Sequence, residues 1–189
     1  MQTLTPHIEI SELIEQCKLG NQEAQMLVYR KYYKMVFSSA YRIVQNKQDA
    51  EDLMQEAFLT CFSQLENLNA NERFGGWLKK TAINKSINYI NRNKNKWLTI
   101  TDRDAVAEEN IYNGDELIDI KTKLIFEEIK NLAEGYRIIL TLYLIEGYDH
   151  EEIAEILKIK SSTSRSQYTR ARKKLKDNLL TKYERQFEK

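Results

Sequence analysis

The side chains with the most specific chemistry lie in a basic segment near the C-terminus of the chain. Arginine can make a bidentate contact with O6 and N7 of guanine, and serine or threonine can contact several base edges. Side chains of these types are Thr163, Arg165, Ser166, Thr169 and Arg170. Lys173 and Lys174 follow, and lysines suit phosphates, which position a protein on DNA without reading its sequence. The segment predicts a surface that reads duplex DNA, with a solvated basic helix face as the alternative.

A second basic segment covers residues 73–97, with seven Lys and Arg and no acid. At helical spacing, one side carries Trp77, Lys80, Asn84 and Asn88, with Lys85 and Arg92 beside it. Aromatic, amide and basic side chains together are typical of surfaces that stack and hydrogen-bond single-stranded bases. On spacing alone, Trp77 could equally be a core residue of a helix pair, with the asparagines merely at the surface.

A third set of polar residues, Asp49, Asp52, Gln55 and Glu56, lies opposite an apolar helical stripe. Carboxylates can bind metals or transfer protons, but this region has no His or Cys ligand and no partner acid at paired spacing. We therefore expect no metal, no cofactor and no catalytic site. A solvated face or a docking patch for a basic partner helix fits these residues better.

Composition indicates which elements must position these side chains. Six Gly and one Pro are too few for the turns of a β-sandwich or barrel, so we expect an all-α protein. The net charge of +1 argues at first against a nucleic-acid protein, but residues 98–119 carry seven acids and one Arg that offset the basic segments. No apolar run approaches the ~20 residues of a membrane span, so we expect a cytoplasmic protein without membrane insertion. Cys17 and Cys61 are expected to be core residues.

The N-terminal half predicts three helices after a short helix over Ser11–Leu19, which Gly20 ends and after which Asn21 caps the next. Apolar residues recur at i, i+3, i+4 and i+7 along the first two. Their stripes are Leu27, Val28, Tyr32, Met35, Val36, Ala40 and Ile43, then Ala50, Leu53, Met54, Ala57, Phe58, Cys61, Phe62 and Leu65. These two helices should pack as an antiparallel pair. We expect a loop over residues 66–72 and a third helix from near Phe74 to about Arg92.

The C-terminal half predicts a second helical domain from near Ile120. Its first inner faces are expected to carry Leu124, Ile125, Ile129 and Leu132, then Tyr136, Ile139, Leu140, Tyr143 and Leu144. Asp149 and Glu152 have the spacing of a capping box that opens a short helix. After a turn at 158–160, Ser161 or Ser162 would cap a last helix with the inner stripe Ser164, Tyr168, Ala171, Leu175 and Leu179. A short helix, a brief turn and a longer basic helix form a helix-turn-helix pattern.

The order of these motifs resembles the extracytoplasmic-function (ECF) sigma factors of bacterial RNA polymerase, small members of the sigma-70 family. The segments that carry the resemblance are 49–56, 74–78, 136–147, 152–157 and 164–172. It implies a sigma-2-like helical bundle over residues 1–95, a flexible acidic linker over 96–120 and a sigma-4-like helix-turn-helix domain over 121–189.

The resemblance also implies roles for the polar residues. The set from Asp49 to Glu56 would dock on a coiled coil of the polymerase β′ subunit. The set from Trp77 to Arg92 would capture and melt the −10 element. The set from Thr163 to Lys174 would read the −35 element. The implied partners are core RNA polymerase through its β′ and β subunits, promoter DNA and an anti-sigma factor. The protein would then be a non-catalytic specificity subunit.

The chain departs from the family pattern at three positions, where Ala133 replaces the usual proline, Lys158 the usual glycine and Ser164 an apolar residue. Two other functions remain open on sequence. One is an autonomous helix-turn-helix regulator whose first domain dimerises or senses a ligand. The other is a helical enzyme or adaptor with a basic tail, although no convergent polar residues give it a site.

Overall fold

The structure, a computed structural model, describes residues 9–67, 74–97 and 120–187. Within these ranges all regular structure is helical and none is strand, as the all-α prediction requires. The chain divides into two compact units, Met1–Ile90 and Asn91–Lys189. Of the predicted linker over 96–120, residues 98–119 lie outside the described ranges, whereas residues 96 and 97 are helical in the segment Phe74–Trp97 and Ile120 begins the next helix. Residues 68–72 of the predicted loop also lie outside the described ranges. No described helix is long and apolar enough to cross a membrane.

The helices of the first unit begin and end where short-range signals place them. They are α1 Ile10–Lys18, α2 Gln22–Val44, α3 Lys47–Ser63, the 3₁₀ turn Leu65–Asn67, and α4 Phe74–Trp97, which begins in this unit and continues past its boundary at Ile90. Gly20 has φ +79°, and the Asn21 side chain accepts hydrogen bonds from the first turn of α2 at 2.9 and 3.2 Å. Asn46 caps α3 by accepting from the Asp49 N–H at 3.0 Å. The connection between α2 and α3 is therefore only two residues long. Helix α4 ends at Trp97, five residues past its predicted end at Arg92.

The first unit is built around α2 and α3. The pair is antiparallel, because Ala40 packs in one cluster with Ala50 while the Tyr29 ring lies 4.8 Å from that of Phe58. The predicted α3 stripe is buried except for the half-buried Phe62. In α2, however, Leu27 and Met35 are 43 % and 36 % exposed, so their predicted burial is wrong. The stripe that faces the core follows their neighbours Val28 and Val36, and consecutive residues of a helix point about 100° apart.

Helix α4 packs against this core through Phe74, Leu78, Ala82, Ile83 and Ile87, all buried. Its first turn approaches α2 so closely that a Cβ on Gly75 would lie 2.6 Å from Cε1 of Tyr32. The missing side chain therefore sets how near the N-terminal end of α4 lies to α2.

The second unit contains α5 Ile120–Lys130, α6 Glu134–Leu140, α7 His150–Leu157 and α8 Ser161–Phe187, with a π-helical turn at Thr141–Ile145. Ile129, Leu132, Leu140, Ala171 and Leu175 form its core cluster. Nζ of Lys182 donates to the buried Glu128 carboxylate at 2.7 Å and joins α8 to α5.

The π-helical turn changes which residues of the second unit face inward. It shows an i to i+5 hydrogen bond of 3.0 Å from the Glu146 N–H to the Thr141 carbonyl. The extra residue per turn rotates Thr141 and Leu142 into the core and leaves Leu144 49 % exposed. The predicted burial of Leu144 is therefore wrong. Ile125 is also 39 % exposed, so its predicted burial is wrong, whereas Ile129 one turn later on the same predicted face is buried, as is Glu128 beside it.

The helix-turn-helix forms as predicted in most respects. Both halves of the capping box are present, at 2.8 Å from the Glu152 N–H to Asp149 and 2.9 Å from the Asp149 N–H to Glu152. Lys158 has φ +55°, so the position where the family has glycine is a left-handed one here too. The predicted serine cap of α8 is wrong, because the carbonyl of Lys160 accepts its first hydrogen bonds and Ser161 is already helical.

Gly75→Ala should destabilise the first unit by about 1–3 kcal/mol, because the added methyl group would overlap the Tyr32 ring. Gly135→Ala is the matched control, since nothing lies within 4 Å of a Cβ at Gly135 in α6. Alanine there should be neutral or slightly stabilising. Urea denaturation of both variants measures the difference, and equal midpoints would show that the close approach of α4 to α2 is unimportant.

Candidate nucleic-acid and protein interfaces

Helix α8 presents its basic side to solvent. Its inner stripe buries Ser164, Ala171 and Leu175, so the opposite side is turned outward. The predicted −35 residues that are exposed are Arg165, Ser166, Thr169, Arg170, Lys173 and Lys174, and Thr163 is half-buried. The structure thus brings the predicted set together along the outer half of one helix, the shape that enters a major groove.

The polar side chains of this surface already make local contacts. The hydroxyl groups of Ser166 and Thr169 donate to the carbonyls of Thr163 and Arg165, each at 3.0 Å, which leaves both oxygens available as acceptors. Nη2 of Arg165 donates to Oε1 of Glu151 at 2.6 Å, across the turn of the helix-turn-helix. Sequence reasoning missed Glu151, because its partner is fourteen residues away and only the turn geometry joins them.

A polar cluster that sequence reasoning also missed packs against the inner side of α8. Oγ of the fully buried Ser164 and Nδ1 of His150 share a hydrogen bond of 2.9 Å. The imidazole ring stacks on Tyr143 at 4.7 Å between centroids and meets Tyr168 edge-on at 5.5 Å. The serine at a position where the family has an apolar residue is thus satisfied by a histidine. A hydroxyl within the predicted inner stripe was the signal that could have indicated such a partner.

Helix α4 carries the second basic surface. Lys80, Asn88 and Arg92 are exposed, and Asn84 and Lys85 are half-buried. Trp77 is half-buried and packs against the core cluster, with its ring 6.1 Å from that of Phe74 in an edge-on contact. Its indole therefore contributes to the core while one part remains accessible.

Cys61 and Thr81 connect this helix to α3. Sγ of Cys61 donates to Oγ1 of Thr81 at 3.6 Å, and that hydroxyl donates to the Trp77 carbonyl at 2.9 Å. Burial raises the pKa of the Cys61 thiol to about 11, although the Thr81 hydrogen bond and the nearby Lys85 charge lower it in part. Cys61 is a neutral, buried core residue, as is the buried Cys17.

The outer face of α3 carries the acidic set. Asp52, Gln55 and Glu56 are exposed and Asp49 is half-buried. Leu59, one turn further along this face, is 70 % exposed and was not singled out by its sequence pattern, although a leucine opposite the apolar stripe was a visible signal. Oε2 of Glu56 lies 3.4 Å from Nζ of Lys85, so the acidic set and the basic set of α4 meet in an ion pair. Among the described residues, no three His, Cys, Asp or Glu side chains are grouped to hold a metal.

A helical unit with an exposed basic helix in a helix-turn-helix, and a second helical unit with its own basic face, define a DNA-binding transcription protein. Residues 28–96 match the family Sigma-70 region 2, and residues 123–175 match Sigma-70, region 4. The ECF RNA polymerase sigma-E factor of Escherichia coli K12 is 30 % identical over 171 residues, which cover 85 % of this chain and 88 % of that protein. The chain belongs to the sigma-70 family and is an ECF-type sigma factor that directs promoter-specific transcription initiation.

Other similar proteins agree. The ECF sigma-E factor of Haemophilus influenzae is 28 % identical over 180 residues, covering 88 % of this chain and 93 % of that one. Two solved structures share the fold. CnrH in complex with the cytosolic domain of CnrY has a TM-score of 0.54 at 19 % identity, covering 90 % of this chain and 97 % of CnrH. RpoE in complex with the anti-sigma factor NepR, from Bartonella quintana, has a TM-score of 0.56 at 16 % identity, covering 82 % and 95 %. The all-α fold and the ECF resemblance are confirmed.

Ser164→Ala should destabilise the second unit by about 1–2 kcal/mol, because it leaves the half-buried His150 ring nitrogen without its partner. Adding His150→Phe should restore most of that loss, since both polar partners are then removed and the stacking on Tyr143 is kept.

Urea denaturation of the single and double variants gives the coupling free energy, with the exposed Ser166→Ala as the control. Additive losses in the double variant would show that the hydrogen bond does not support α8.

Proposed function

We propose that the two units divide the work of promoter recognition. Residues 1–95 would dock on core RNA polymerase and capture the −10 element, residues 96–120 would link the units, and residues 121–189 would read the −35 element. The observation that carries this division is the separation of charge between faces. The outer face of α3 is acidic and exposed, whereas the outer side of α8 is basic and exposed.

The docking surface is the α3 face of Asp49, Asp52, Gln55 and Glu56. Its carboxylates complement a basic partner helix such as the coiled coil of the β′ subunit. Leu59 extends this face by one turn with 70 % of its surface exposed, and an apolar side chain next to the charged patch adds contact area when a partner excludes water.

The −10 surface is the side of α4 with Trp77, Lys80, Asn84, Lys85, Asn88 and Arg92. The amides of Asn84 and Asn88 can hydrogen-bond the edges of unpaired bases, and the basic side chains can contact phosphates. Lys85 is paired with Glu56 at 3.4 Å, so a basic polymerase residue that binds Glu56 would release Lys85 for DNA. Polymerase docking would thereby favour −10 capture.

The −35 surface is the outer side of α8, from Thr163 to Lys174. Arg165 and Arg170 are suited to guanine, the hydroxyl oxygens of Ser166 and Thr169 accept hydrogen bonds at base edges, and Lys173 and Lys174 contact phosphates. The proposal is supported by the position of these exposed residues on a single helix, directly after the turn of the helix-turn-helix.

The protein acts as a non-catalytic specificity subunit in the cytoplasm, together with RNA polymerase. The proteins of similar fold, CnrH and RpoE, were solved in complex with CnrY and with the anti-sigma factor NepR. We extend this mode of control to the present chain, which would be held inactive by an anti-sigma factor.

Asp52→Lys combined with Glu56→Lys should abolish binding to core polymerase, because the docking face then repels a basic partner. Fluorescence anisotropy with labelled core enzyme measures the affinity, and circular dichroism checks that the variant is folded. The control is Glu12→Lys with Glu23→Lys, which makes the same charge change at exposed acids of α1 and α2. An unchanged affinity of the docking variant would refute this surface.

Arg170→Ala and Lys173→Ala should separate base reading from phosphate contact. With core polymerase present, Arg170→Ala should cost about 1–3 kcal/mol and relax the preference at one −35 position, whereas Lys173→Ala should weaken all sequences equally and lower the salt slope by about 1.

Asn84→Ala should change the −10 preference alone. The sequence preferences are measured by selecting promoters from a randomised pool with holoenzyme, and the uniform loss and salt slope of the Lys173 variant by titrating one promoter at several salt concentrations. Tight, sequence-specific binding of a duplex by the chain without polymerase would favour an autonomous regulator instead. A shifted −35 preference in the Asn84 variant would show that the division between the units is wrong.

A further inference from the structure

Arg165 is restrained by two side chains at the start of the helix-turn-helix. Its Nη2 donates to Oε1 of Glu151 at 2.6 Å and to Oγ of Ser161 at 3.3 Å. Arg165 and Glu151 are 52 % and 63 % exposed, and ion pairs between exposed side chains contribute little to folding stability. The contact therefore matters more for what Arg165 can bind than for the fold.

The geometry limits the donors that Arg165 can offer to DNA. Both contacts use the same terminal nitrogen, and each edge of a guanidinium group that can make a bidentate contact includes Nη2. A bidentate contact with a base therefore has to displace Glu151 or Ser161. Binding of Arg165 to DNA is an exchange of existing contacts for new ones.

A second contact between α7 and α8 keeps Glu151 close to Arg165. Adjacent residues of α7 hold adjacent residues of α8, since His150 hydrogen-bonds the buried Ser164 at 2.9 Å while Glu151 binds Arg165 on the exposed side. Because the buried contact restrains the rotation of α8 against α7, Glu151 stays within reach of Arg165 at the DNA-facing surface.

We propose that Glu151 is a specificity-determining residue that competes with DNA for Arg165. A guanine offers O6 and N7 and so makes two hydrogen bonds in place of the one that is displaced, whereas a base edge with one suitable acceptor only exchanges one contact for another. The carboxylate also disfavours a nearby phosphate, so Arg165 is kept from sequence-independent binding. The inference rests on the proposed reading of the −35 element by α8.

The test uses holoenzyme assembled from core polymerase and the full chain, which selects from a pool of promoter fragments with a randomised −35 element. Arg165→Ala should lose guanine preference at one position. Glu151→Ala should reduce the preference at that same position by about tenfold, within the range of one bidentate contact, mainly because other base pairs bind more tightly. The double variant should match Arg165→Ala, since Glu151 acts through Arg165.

Glu155→Ala is the matched control, because Glu155 is an exposed acid one turn further along α7. It should leave the sequence profile unchanged. Urea denaturation checks that Glu151→Ala folds normally, and Glu151→Gln, which removes the charge and keeps the shape, is used if it does not.

The experiment separates failure of the Glu151 proposal from failure of the proposed −35 reading. If Arg165→Ala loses the guanine preference but Glu151→Ala retains it, or changes all fragments equally, the competition is refuted while the proposed reading stands. If Arg165→Ala itself leaves the profile unchanged, Arg165 does not read a base, and the proposed role of Arg165 in −35 reading is refuted together with the competition.

Discussion

Burial of a narrow stripe on each surface helix determines the direction of the charged side chains that the structure describes in α3, α4 and α8. Over positions 161–182 of α8, the buried residues Ser164, Ala171 and Leu175 all lie on one side, because an unpaired charge cannot enter the core at an acceptable free energy. The remaining circumference is then available for arginine and lysine. A wider apolar stripe would stabilise the unit more but would remove side chains from the surface that meets DNA.

The separated charge also explains how a chain with a net charge of +1 can bind DNA. Screening limits the reach of a surface charge to about 10 Å at 0.1 M salt, so a phosphate responds to the local face and not to the whole chain. Where faces of opposite sign adjoin, Lys85 pairs with Glu56 and Arg165 with Glu151. Pairs between partly exposed side chains are weak, so polymerase or DNA can replace them at small cost.

Features governed by neighbours in sequence could be predicted, and those governed by distant contacts or irregular backbone could not. The capping box of Asp149 and the α3 stripe follow from local hydrogen bonding and helical period. The exposure of Leu144 depends on the π-helical turn, which shifts the period after Leu140 without a sequence signal. Helical spacing was enough to group the predicted residues of α3, α4 and α8, but the pairing of Glu151 with Arg165 required the path of the turn.

Two of the three departures from the family pattern, Lys158 and Ser164, are explained by the contacts between the two helices of the helix-turn-helix. An apolar residue at position 164 would pack without directional preference, whereas Ser164 bonds His150 in one geometry. That bond places the first turn of α7 at a defined rotation, and the next residue, Glu151, reaches Arg165. Lys158 adopts a left-handed conformation at some energetic cost relative to glycine, and the hydrogen bond between Ser164 and His150 offsets part of that cost. The hydrogen bond between Ser164 and His150 therefore helps to set the position of Glu151, and through it the donors that Arg165 presents at the surface.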